Sequence, residues 1–151
     1  MNRNEHFQTT ATWAEARTLV TFEPKRPHDT GGRALQSLQV HIRDHKRRDL
    51  APEDRTLEAH YGTFVLSQSQ PGPEEARKRA IATSYGQTMR DRNIAGHDAR
   101  IYELGPEPPA DDVDGRSSAV VAWHDGPMFF LIASSVLSAA DLERIAWSMY
   151  G

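Results

Sequence analysis

The sequence predicts an α+β fold: a single antiparallel β-sheet of about six to eight strands with a C-terminal helix packed on one face. Three stretches carry that reading. Ser118–Trp123 and Met128–Ala133 are β-branched, aromatic and apolar runs joined by His124-Asp125-Gly126-Pro127. Asp-Gly is a hairpin signal, because a type I′ turn needs positive φ at both central positions. Leu142, Ile145, Ala146 and Met149 recur at helical spacing and make one apolar stripe. Leu35–Ile42 sets Leu38, Val40 and Ile42 against Gln39, His41 and Arg43, the period of a strand with one wet face.

Taken in order, Met1–Ala11 is polar and reads as a flexible, frayed end, with a single domain over residues 12–151. Thr12-Trp13-Ala14-Glu15 is a capping box that opens a short helix to about Thr18. Leu19–Phe22 turns extended and stops at Glu23-Pro24-Lys25-Arg26-Pro27, which cannot continue a helix. His28–Gly32 is a loop, and Asp44–Asp54 is a charged excursion rich in breakers. Thr56–Tyr61 and Thr63–Ser69 read as two strands around Gly62, with Leu57, Ala59 and Tyr61 on one face.

Glu74–Thr83 suits a short exposed helix with acids at its positive end. Gln87–Ile94 and His97–Leu104 flank Ala95-Gly96 as another hairpin, and Gly105–Asp114 is an acidic loop. In the closing hairpin, Pro127 opens a return strand that is apolar on both faces, as an interior strand requires. Ser138 is the N-cap of the last helix, Asp141 its capping-box partner, and Leu137 with Leu142 its hydrophobic staple. Trp147 falls at the edge of the apolar stripe.

A chain of 151 residues holds one domain with a real core and is short for two. Its formal net charge of −3 and mean hydropathy of −0.66 describe a polar-surfaced protein with no global case for binding nucleic acid. No run approaches the roughly 18 apolar residues that cross a bilayer. Met1–Thr12 lacks the basic-then-apolar pattern of a signal peptide. With no cysteine, disulfides, thiol catalysis and thiolate metal sites are excluded. As it stands the chain reads as cytoplasmic; as an excised part of an anchored protein it reads as extracytoplasmic.

Three separated pieces carry a resemblance. Ala14–Pro27 looks like an opening A…L…F…P…P segment. Leu57-Glu58-Ala59-His60-Tyr61 with Phe64-Val65-Leu66-Ser67-Gln68 is similar to central paired strands ending in Gln. Val121–Gly126, Phe130-Leu131-Ile132 and Leu142, Ile145, Ala146, Ser148, Met149 are similar to a W-x-x-G hairpin followed by an I-A-x-S helix. Together they resemble the bacterial domain-of-unknown-function family 4367, the extracytoplasmic, C-terminal part of anti-sigma-factor-like membrane proteins and of some lipoproteins. The resemblance implies the fold and a sensory or binding role, and brings no catalytic residues with it. The chain departs from that family in lacking a transmembrane segment and the Leu-Pro-x-Gly-Tyr turn, and in its Arg43–Arg48 and Glu74–Arg92 stretches.

Chemistry-bearing residues are few. His41 and His45 are four apart, but no His-Glu-x-x-His pattern and no third ligand accompany them. Arg43 to Arg48 carries four cations plus His45, which is either a solvated loop or a patch for phosphate or an acidic partner. Asp111, Asp112 and Asp114 miss the register of a calcium loop. His60, Tyr61, His97 and Tyr102 belong to strands on which they can converge. Trp123 and Trp147 both fall near the expected helix–sheet contact, where core packing is the plain reading and a ligand cleft the sharper one.

The sequence thus points to a non-enzymatic binding or sensory module without a cofactor. Arg43, His45, Arg47, Arg48, Trp123 and Trp147 are its candidate ligand or partner contacts. The expected partners are another protein, a small ligand or a second copy of the chain. The rivals are a small metal-dependent hydrolase built on a histidine cluster, and a domain that self-associates through a sheet edge.

Overall fold

The computed structural model describes residues 6–44, 46–70, 88–103 and 119–150. The expected helix at Glu74–Thr83 and the acidic loop at Gly105–Asp114 lie outside the described residues. Eight strands are described: β1 (Phe7–Thr10), β2 (Ser37–His41), β3 (Thr56–His60), β4 (Val65–Ser69), β5 (Thr88–Ile94), β6 (His97–Glu103), β7 (Ala119–Asp125) and β8 (Met128–Ser134). They form one antiparallel sheet in the order β1-β2-β3-β4-β8-β7-β6-β5. Two four-stranded meanders therefore meet at a single long-range seam, where Leu66 lies opposite Ile132 and Gln68 opposite Phe130.

The pleat separates two faces. One carries Leu38, Val40, Leu57, Ala59, Leu66, Phe130, Ile132, Val121, Trp123, Ile101 and Ala99, all buried. Helix α1 (Trp13–Arg17), the stretch from Val20 to His28 and helix α2 (Ala139–Ser148) lie against it. Thr12 caps α1 by accepting from the Glu15 N–H at 3.1 Å. In α2 the capping box of Ser138 and Asp141 is complete. Leu142, Ile145, Ala146 and Met149 are buried as the stripe requires, each large side chain contributing about 1.5–3 kcal/mol.

Three local expectations are corrected. Met1–Ala11 is not frayed throughout, since Phe7–Thr10 is the edge strand β1, recruited by pairing with β2. Leu19–Phe22 is not extended; it bends, and Val20 and Phe22 plug the core instead of joining the sheet. In the last hairpin Asp125 pairs with Met128, so the two-residue loop is Gly126-Pro127 rather than Asp125-Gly126. Gly126 has φ 58°, and Pro127 holds φ negative, which makes a type II′ turn and rules out I′. A I′-like turn does occur one hairpin earlier, where Ala95 (φ 52°) and Gly96 (φ 91°) join β5 to β6 and Asn93 Oδ1 accepts from the Gly96 N–H.

Candidate functional site

The basic excursion closes on itself. Arg43 and Asp49 form an isolated bridge and an ion pair at 2.9 Å. Asp44 accepts from the backbone N–H groups of Lys46 and Arg48, and two nitrogens of the Arg48 guanidinium grip its other oxygen at 2.8 and 2.9 Å. Those bonds, the Arg48 backbone first, hold the Asp44 carboxyl down to about 2. Arg47 sits at φ 62°, turning the loop. Two of the four cations expected to form a patch are thus taken by carboxylates of the same loop, and His45 lies outside the described residues.

The two tryptophans part company. Trp123 is 1% exposed, stacked on Phe130 at 5.1 Å, while Trp147 is 47% exposed on the solvent side of α2. The structure does not bring them into a shared cleft. The histidines do not converge either. His41 and His60 point from the face opposite the helices, with His60 Nε2 3.0 Å from Glu58, whereas His97 belongs to the helix side. Among the described residues no three His, Asp or Glu side chains gather as a metal site.

Two assemblies emerge instead. The first lies on the helix side where β6, β7, α2 and the Pro24–Pro27 stretch meet. Trp123 Nε1–H donates to the Tyr150 hydroxyl at 2.8 Å, which donates to Asp125 Oδ2 at 2.9 Å. His97 Nε2 lies 3.6 Å from the same carboxylate oxygen, and its ring is 5.2 Å from that of Tyr150. Lys25 Nζ stands 4.8 Å over the Tyr150 ring. Sequence reading missed this group because its members are scattered from residue 25 to residue 150; Asp125 was legible only as a turn residue.

The second is an open cleft of about 420 Å³ on the face that no described helix covers. Register places its walls: Asp91 lies opposite Arg100, Arg100 opposite Ala122, and His124 opposite Phe129. Asp98 is two residues before Arg100 on the same face of β6. The His124 and Phe129 rings are 4.8 Å apart. Arg100, Asp91 and Asp98 make no ion pair with one another among the described residues. Among the described residues the cleft offers both charges and an aromatic floor. No family model, no curated protein and no solved structure matches this chain.

Proposed function

We propose that the protein is a non-enzymatic recognition module, of the kind found in extracytoplasmic anti-sigma-factor-like domains, that binds through the helix-free face of its sheet. The observation that carries this reading is the cleft between β5 and β8. Its volume of about 420 Å³ falls in the range of small-ligand sites, roughly 300–1,000 Å³. Among the described residues Asp91, Asp98 and Arg100 form no ion pair with one another. A ligand with both a cationic and an anionic group, free or carried on a protein, suits walls that present Asp91, Asp98 and Arg100 together.

The test is backbone amide shift mapping of the folded chain against a panel of small amphoteric compounds. Support is a set of shifts clustered on Asp91, Asp98, Arg100 and His124 that Arg100→Ala removes. Shifts gathered around His97, Asp125 and Tyr150 instead, or none with any member of the panel, would end the reading.

A further inference from the structure

Strand β1 is fastened unevenly. Its C-terminal end is secure, because Thr10 is buried and the chain runs into α1, whose Ala16 lies in the core. Beyond its ladder pairing with β2 and a 3.4 Å bond from the Arg43 N–H to the His6 carbonyl, two contacts hold its N-terminal end. The His6 carbonyl accepts from the Ile42 N–H at 2.8 Å, and the Phe7 ring stacks on His41 at 4.8 Å with 23° between planes.

Burial outweighs Glu58 and Asp44, which act on the His41 ring as opposite charges, and the Arg43 backbone that bonds it. Glu58 faces it from β3, but that carboxylate is engaged by His60 at 3.0 Å. Asp44 and Arg43 follow it in the chain, and they are bound to Arg48 and Asp49. From the turn before β1, the His6 ring approaches to 6.4 Å. A charge on His41 would sit against the Phe7 stack and beside the His6 ring, at a junction that helps to hold the strand's N-terminal end. Burial, more than the pull of Glu58 against it, sets the His41 imidazole below its usual range, so the neutral ring is the one the fold prefers.

We infer that β1 is a proton-released edge strand: acidification charges His41, loosens the Phe7 stack and lifts residues 6–9 from β2 while the rest of the sheet stays folded. For a histidine whose folded form favours the neutral ring, the contribution to stability is full above the unfolded pKa. It declines as pH falls through the histidine range, and levels off below the folded pKa. Release would bare the N–H and C=O groups of Val40 and Ile42, an edge open to strand addition. The device goes beyond the recognition reading and does not depend on it.

The experiment is amide exchange of the whole chain by NMR at about pH 7.5 and about pH 5, expressed as protection factors. Protection at Gln8, Val40 and Ile42, relative to Leu57 and Leu66, should fall by about twofold or more on acidification. His41→Gln should flatten that change, and His6→Gln should reduce it. The His41 ring, followed by its own proton shifts, should titrate below free histidine, a readout that needs no variant. Equal relative protection at both pH values, or protection that rises because a charged ring is drawn to Phe7, overturns the inference. So does a His41→Gln protein that loses protection as the wild type does.

Discussion

Gln68 is wholly buried in the middle strand of the sheet, between Leu57 on β3 and Phe130 on β8. Its amide clamps the backbone of Lys25 from both sides: Oε1 accepts from the Lys25 N–H at 2.8 Å and Nε2 donates to the Lys25 carbonyl at 2.9 Å. A side chain here does what a neighbouring strand would do, and it ties the Pro24–Pro27 stretch to the covered face. Gln68→Met keeps the length and removes both bonds. Each such bond is worth about 0.5–1.5 kcal/mol net, and a backbone group left unpaired away from water costs about 1–3 kcal/mol. Methionine regains part of this through its apolar surface, so the expected loss is about 2–3 kcal/mol. At about 2–4 °C per kcal/mol for a chain of this size, Tm falls by about 5–10 °C. Gln68→Glu, which keeps the acceptor but buries a charge, costs more at neutral pH. Urea denaturation gives the magnitude and amide exchange at Lys25 gives the location. A Gln68→Met protein within about 0.5 kcal/mol of wild type, or one whose Lys25 amide exchanges no faster, would refute the clamp.

Other perturbations follow from the same structure. Tyr150→Phe leaves the buried Trp123 indole N–H without its acceptor and costs about 1–3 kcal/mol by denaturation; in a Trp123→Phe background most of that cost should vanish. A two-fold pairing of β5 edges centred on Asp91 would set Arg90 against Arg92 of the second copy, two like-charge pairs that disfavour this register. Arg92→Asp converts both clashes to complementary pairs, and sedimentation should detect the new dimer. Asp44, held down to about 2, supports its loop at pH values above the ordinary carboxylate pKa and loses that support as pH falls from about 4 toward about 2, read as faster exchange at Lys46 and Arg48.

What the sequence disclosed was whatever is settled within a few residues. The capping box at Ser138, the stripe from Leu142 to Met149 and the alternation at Leu38 and Val40 each act locally, and each is where it was read. Phe7–Thr10 carries no such signal, because a polar four-residue strand exists only through the edge of β2. Val20 and Phe22 looked like strand residues since apolarity alone does not say whether a side chain enters the core from a sheet or from a bend. The seam of β4 with β8 pairs residues sixty or more positions apart, and no local preference encodes it. Gln68 showed the same limit: it could be noticed as the end of a strand, but the backbone it clamps lies 43 residues away.

The group of Trp123, Tyr150, Asp125 and His97 has the outward composition of an acid–base site, and the direction of its hydrogen bonds argues for another role. Burial above all, reinforced by Asp125, pushes the Tyr150 hydroxyl up to about 12. A general acid or base works best with a pKa near the operating pH, and this phenol stays protonated at neutrality. Its proton is committed to Asp125 and its lone pair to the Trp123 indole, so the chain from Trp123 through Tyr150 to Asp125 runs one way. The group also joins three elements: β7 supplies Trp123 and Asp125, β6 supplies His97, and Tyr150 follows the C-cap of α2. A buried tryptophan N–H needs an acceptor, and the end of a helix needs an anchor. One hydroxyl meets both needs, which makes this cluster the fastening of α2.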